Sequence, residues 1–316
     1  MINAPVINAP VEFSARVIES FGRRAIVQAG DGERFAAELF GKRLTVVCGD
    51  TVQVRLPQPV AAASGDAPRI VSVANRRTLF QRTDGRGRTE PLAANLSLLA
   101  VVIATEPPAD PYMVDRYLAG AAYAGIRGAV IVNKSDLAAT PEFSAMVEEY
   151  RQADYPVLRL SALSGEAIDE VRTLMQGQSI MLAGQSGVGK STLTNALVPE
   201  SERLTRTLSG ATGEGRHTTV STALFRIPGC GELIDSPGVR DYAPALVEDA
   251  RVQTGWPEIL ALAPKCRFNN CLHLREPACA VINAVDSGSL AARRYESYKR
   301  LLNIMRGLAP DYERRR

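Results

Sequence analysis

Long apolar runs are missing from this chain. No hydrophobic stretch reaches the roughly 18 to 20 residues that cross a bilayer. The opening MINAPVINAPVEF has no basic segment followed by an apolar one, as a secretion signal would. Both absences point to a cytoplasmic protein without a membrane partner. Cysteine is sparse, and its count of five is odd, which argues against a complete disulfide framework. Cys48 and Cys230 stand alone and read as small core residues. Histidine occurs only twice, at His217 and His273. What is present is ordinary for a globular chain: 316 residues, 46% hydrophobic and 22% charged, with room for two or three cores.

The net charge of +3 conceals an uneven distribution. Lys and Arg outnumber Asp and Glu before residue 91 and after residue 256, and the balance reverses between them. A slightly acidic centre with two basic ends suits a protein that grips a polyanion at two places. Solvated basic surfaces would leave the same imprint.

Residues 1–75 read as short strands (RVIESF, RAIVQA, RFAAEL, TVVCGDTVQVRL and RIVSVA) divided by Gly, Asp and Pro turns. Five strands in that length predict a small closed barrel, an OB-fold first and an SH3-like barrel second. The stretch Pro57 to Pro68 is a turn-rich insertion. Residues 76–95 carry Arg76, Arg77, Arg82, Arg86 and Arg88, and read as an exposed basic linker that could touch phosphates or simply stay solvated.

From 96 to 242 the pattern becomes α/β. LSLLAVVIAT, AVIVN and SIMLA are continuous apolar runs, as in strands covered on both faces, and helical stretches alternate with them. Residues 243–316 are helical around a Cys/His segment. The last stretch spaces Leu290, Tyr295, Tyr298, Leu301, Leu302, Met305 and Leu308 to make one apolar face opposite a basic one.

Three motifs carry the chemistry. GQSGVGKS, with Thr192 following, comprises Gly184, Gln185, Ser186, Gly187, Val188, Gly189, Lys190 and Ser191 after the strand SIMLA. Glycines there let backbone N–H groups wrap a phosphate, Lys190 supplies a point charge, and the Ser191 hydroxyl suits Mg²⁺. NKSD (Asn133, Lys134, Ser135, Asp136) ends another strand, and SAL (Ser161, Ala162, Leu163) follows the next one. Asp136 can accept from both the ring N–H and the amino group of guanine, a pair that adenine does not offer together. DSPG places Asp235 toward the metal through water and Gly238 toward the γ-phosphate. Upstream, GRHTT supplies Thr218 or Thr219 for the metal and γ-phosphate.

The order of these motifs is rotated: NKSD precedes GQSGVGKS, whereas in an ordinary guanine-nucleotide domain the phosphate loop comes first. A second departure concerns hydrolysis. Val239 follows DSPG where Ras-like enzymes carry the glutamine that orients water. An aliphatic side chain cannot do so. His217 is the candidate to position that water, its alternative being a loop histidine without catalytic duty.

Cys266-x4-Cys271-x-His273-x5-Cys279 gathers three thiols and an imidazole, enough to close a tetrahedral Zn²⁺ site with no position left for water. A structural zinc ion is therefore expected. Lys265, Arg267 and Phe268 beside it suit a module facing nucleic acid.

NKSD, SALSG, GQSGVGKST, GRHTT, DSPGV and the Cys/His spacing, in this order, closely resemble the RsgA (YjeQ) family of circularly permuted GTPases, over nearly the whole chain. A monomer is expected, and the resemblance implies an N-terminal OB-fold. It also implies GTP hydrolysis stimulated by the small ribosomal subunit, contacts to 16S rRNA, and action late in 30S assembly. Many ribosome-assembly GTPases place an Asn where this loop has Gly187, and there it supports potassium-assisted catalysis; this chain departs from them at that position. Two other functions stay open: an RNA-binding scaffold with a structural nucleotide, and a permuted GTPase with another target.

Overall fold

A computed structural model describes residues 11–57, 67–198, 222–236 and 242–308. Five strands open the chain: β1 (Glu12–Phe21), β2 (Arg24–Ala29), β3 (Arg34–Leu39), β4 (Thr51–Arg55) and β5 (Arg69–Val73). They pair in the order β1-β2-β3-β5-β4, and β4 returns to β1, with β3 and β5 parallel. That closed connectivity is the OB-fold rather than the SH3-like barrel. Inward-pointing Val17, Val27, Val52, Val54 and Ile70 fill the barrel and are fully buried. Only the second half of TVVCGDTVQVRL is a strand. Its first half is a turn held by Asp50, whose carboxylate accepts from Val47 N at 2.9 Å.

Residues 76–95 are not the open basic linker expected from their composition. They form a hairpin of β6 (Leu79–Thr83) and β7 (Thr89–Ala94). Its arginines are largely spent on neighbouring acids: Arg76 reaches the buried Asp50 at 2.7 and 2.8 Å, Arg82 pairs with Glu90, and Arg88 with Asp84. Phe80 anchors the hairpin by stacking on Tyr242, which stacks in turn on Tyr117.

The second body is built on β8 (Leu98–Ile103), β9 (Arg127–Val132), β10 (Val157–Arg159), β11 (Ser179–Ala183), β12 (Ala223–Ile227) and β13 (Gly231–Asp235). The order is β10-β9-β8-β11-β13-β12, parallel except for β12. Alternate residues of β8 serve opposite cores. Leu99, Val101 and Ile103 meet α1 (Pro111–Tyr123) and α2 (Pro141–Gln152). Leu98, Ala100 and Val102 meet α3 (Ile168–Met175) and α4 (Lys190–Leu197). Both faces are covered, which is why these strands read as unbroken apolar runs. Helices α1 and α2 start where Asp110 and Thr140 accept from the Tyr112 and Phe143 N–H groups, each followed by a proline whose missing N–H costs nothing there. The sheet does not end at β12: Glu19 of β1 pairs with Ala223, and Arg16 donates to Glu232 at 2.7 Å, so barrel and core share one continuous sheet.

The C-terminal helices are α5 (Asp249–Val252), α6 (Pro257–Leu262), α7 (Ala280–Asp286) and α8 (Ala292–Leu308). They pack around Trp256, Val281, Leu301 and Leu302 and rest on Ala119 of α1. The basic face expected of α8 is not wholly solvated. Arg294 is 1% exposed and bonds to Asp115, fully buried on α1, and to Glu258 at 2.7 Å; Arg293 reaches Asp115 at 2.9 Å and also Glu149. Burial obliges these charges to pair.

Candidate functional site

Every described motif loop leaves the carboxyl end of a parallel strand, where open α/β sheets bind ligands. NKSD follows β9, SAL follows β10, the glycine-rich loop follows β11, and Asp235 closes β13. Because β11 lies between β8 and β13, these loops form one rim despite their separation in sequence.

Residues 184–189 turn sharply between β11 and α4. Gly184 (φ 135°) and Gly189 (φ 92°) sit in backbone conformations that L side chains rarely adopt. A Cβ on Gly184 would also collide with the Val102 carbonyl, and one on Gly189 with Asn133 Nδ2. The Lys190 ammonium donates to the Gly184 and Gln185 carbonyls, both at 2.7 Å, drawing the loop into a ring. Gln185 fastens it sideways, donating to Pro108 O at 2.7 Å and accepting from Asp110 N at 3.3 Å. A cavity of about 400 Å³ opens inside, lined by Gly184, Ser186, Gly187, Gly189, Lys190, Ser191, Thr192, Asp235 and Ser236. Asp235 gets there by register, since it pairs with Leu182, next to the loop. Val188 points away and is fully buried.

Asn133 joins the two halves of the site. Its Nδ2 donates to Val188 O at 2.8 Å, and its Oδ1 accepts from Ala162 N at 2.9 Å. One side chain, 3% exposed, thus ties NKSD to both the glycine-rich loop and SAL. Lys134 takes φ 61° and donates to Glu106 O at 2.7 Å; Ser135 donates to Glu166 at 2.9 Å; Asp136 is exposed at the rim. Ser161 is buried under SAL, its N–H bonded to Glu166 O at 3.2 Å. Glu166 and Ser236 were not singled out from the sequence; the serine of DSPG was the available signal for the second. His217, Thr218, Thr219, Gly238 and Val239 lie outside the described residues, as does most of the insertion from Pro57 to Pro68.

The cluster at the far end is equally local. Ligand atoms of Cys266, Cys271, His273 and Cys279 all lie within 4.8 Å of one another. His273 Nδ1 is 3.6 Å from the Cys266 sulfur and 3.4 Å from that of Cys279. Burial lowers the His273 pKa, favouring the neutral ring that a metal needs. Burial also pushes the Cys271 thiol up to about 12 and raises Cys279, so these thiols ionise at neutral pH only against a cation. The donor set fits zinc. Glu276 braces the strap by accepting from the N–H groups of Leu272, Leu274 and Arg275. Burial alone would raise its carboxyl, but these bonds hold it down at about 2. Phe268 is exposed, with the Arg267 guanidinium 5.4 Å over its ring.

A phosphate loop abutting an NKxD loop on one parallel sheet, with their order rotated along the chain, defines a circularly permuted GTPase. The model of the RsgA GTPase family matches residues 73–244. The small ribosomal subunit biogenesis GTPase RsgA of Pseudomonas fluorescens (strain Pf-5) is 38% identical over 298 residues, spanning 92% of this chain and 85% of that protein. Its namesake in Pseudomonas aeruginosa (strain PAO1) is 37% identical over 297 residues, spanning 93% and 86%. The chain belongs to the RsgA GTPase family, and it is a GTP-hydrolysing enzyme. Two solved structures share the fold. YjeQ from Thermotoga maritima superposes with a TM-score of 0.68 at 24% identity, over 93% of this chain and 99% of its own. YloQ, described as a circularly permuted GTPase, gives 0.70 at 23%, over 98% and 100%. Among the described residues no helix is long and apolar enough to cross a membrane.

Proposed function

We propose that this GTPase acts in assembly of the small ribosomal subunit, binding 16S rRNA as a monomer in the cytoplasm and hydrolysing GTP when the subunit stimulates it. The reading of one bipartite guanine-nucleotide site rests above all on Asn133, whose two hydrogen bonds join the base-reading loops to the phosphate loop. The small-subunit target rests on the relatives that carry that name and match along most of the chain.

In this reading Asp136 reads guanine, with Asn133, Lys134 and Ser135 shaping its loop and Ser161 and Ala162 meeting the base oxygen. Residues Gly184 to Thr192 hold the phosphates, Lys190 neutralising the terminal pair. Ser191 and Asp235, which line the same cavity, would hold the magnesium ion that accompanies GTP, and the ion would offset the phosphate charge. Thr218 or Thr219, with Gly238, senses the γ-phosphate, and His217 positions water. Cys266, Cys271, His273 and Cys279 hold one zinc ion, which supplies a structural crosslink. The chain divides into a barrel (1–75), a connecting segment (76–95), the nucleotide-binding domain (96–242) and the metal-bearing helices (243–316). Barrel and helices act as two grips on rRNA, and loss of the γ-phosphate reorients the second.

GTP turnover measured with and without purified small subunits tests this. Stimulation by small but not large subunits is expected, and binding should weaken steeply with salt. Turnover that ignores the subunit would overturn the target, and His217→Ala with full stimulated turnover would remove that residue's role. Equal subunit affinity with GDP and a non-hydrolysable GTP analogue would refute the switch.

A further inference from the structure

The two ring nitrogens of the buried His273 face different partners. Nδ1 lies inside the cysteine cluster, whereas Nε2 stands 2.8 Å from Oε1 of Gln253. A metal can take Nδ1 only when that nitrogen is bare, so the ring proton must reside on Nε2, and a buried N–H needs an acceptor. Gln253 Oε1 is that acceptor. The amide is itself oriented, because its Nε2 donates to Ala250 O at 3.0 Å and so turns the oxygen toward the ring. Other bonds in the region hold only backbone. Tyr295 donates to His273 O at 2.5 Å and Tyr298 to Leu272 O at 2.8 Å, and neither fixes the tautomer.

We infer that Gln253 is a positioning residue for the zinc centre, fixing the tautomer and plane of His273; the inference rests on the zinc reading above. Gln253 belongs to no part of the cysteine strap. It opens the 3-10 turn Gln253–Gly255, which is seated on α1 of the nucleotide-binding domain. Tyr123 of α1 donates to Val252 O at 2.9 Å, Arg251 donates to Tyr123 O at 3.1 Å, and Tyr155 donates to Gly255 O at 3.3 Å. Contact is so close that a Cβ on Gly255 would stand 2.5 Å from that of Ala119. The group that orients the metal ligand is therefore held by the neighbouring domain rather than by the metal strap.

The test uses full-length protein and a chromophoric chelator competing for zinc. Gln253→Ala should bind zinc about 10- to 100-fold more weakly, the usual effect of removing a partner of a ligating histidine. Gln253→Glu gives up the bond to Ala250 O but retains an oxygen to accept the ring N–H, and should keep most of the affinity that the alanine variant loses. Should the alanine variant fail to fold, Gln253→Met keeps the volume, removes the acceptor and should show the same loss. Wild-type protein without zinc would refute the metal reading itself. Zinc-loaded wild type with an equally tight Gln253→Ala or Gln253→Met would overturn only the role of Gln253, and so would Gln253→Glu losing as much as the alanine variant.

Discussion

Asn133 and Gly189 stand in contact, the amide of one filling the space that a side chain on the other would need. The pair holds the NKSD loop against the glycine-rich loop. Gly189→Ala should therefore act on both, through a strained positive φ and through displacement of Asn133. Loss of GTP binding by at least about 100-fold is expected in nucleotide titrations, alongside a destabilisation of about 1–3 kcal/mol from overpacking. Asn133→Ala should cost about 1–3 kcal/mol in urea denaturation for each buried partner left unpaired, here Val188 O and Ala162 N.

Asp136 is exposed at the rim, where the proposed reading has it meet the guanine base. Asp136→Asn should leave thermal stability unchanged while lowering GTP affinity about 100-fold, the worth of two charge-assisted hydrogen bonds. An amide presents a donor where the carboxylate accepted, so xanthosine triphosphate should become the better ligand. Competition among GTP, XTP and ATP measures this, and unchanged GTP preference would contradict the assignment.

Burial separates a strong ion pair, between α1 and α8, from a weak one on the barrel surface. Asp115→Ala removes the buried acid shared by Arg293 and Arg294, leaves the buried Arg294 with Glu258 alone, and should destabilise by about 3–5 kcal/mol in denaturant. By contrast Glu38→Gln, which breaks the exposed pair with Arg24, should change stability by less than about 1 kcal/mol. Limited proteolysis should find the C-terminal helices loosened in the first variant only.

On the zinc reading, chelating the ion, or replacing Cys279 with serine, should loosen the helical end before the rest. Local hydrogen exchange should rise around residues 266–279, while GTP affinity of the folded core changes little, because the metal cluster and the nucleotide cavity share no residues.

Much of the fold was legible because it is written locally. LLAVVI and SIMLA had to be strands buried on both faces, and GQSGVGKS had to be a phosphate loop between a strand and a helix. The hairpin at 79–94 was hidden because its stabilising partners are remote: Phe80 stacks on Tyr242, and Arg76 is neutralised by Asp50. Local composition recorded only the arginines. Arg294 misled in the same way, since helical periodicity assigns a charge to solvent unless a distant acid such as Asp115 is known to meet it. Gln253 carried no motif at all, lying twenty residues from His273 on another element.

By itself the amino-acid sequence determined the kinds of chemistry available and the rotated order in which they occur, because glycine, carboxylate, amide and thiol groups act through local backbone geometry. Tertiary structure alone decided which of those groups meet. Strand order places β11 between β8 and β13, and register sets Asp235 beside Leu182. Those placements follow from burying both faces of one sheet, a condition satisfied by the whole chain at once and by no single segment.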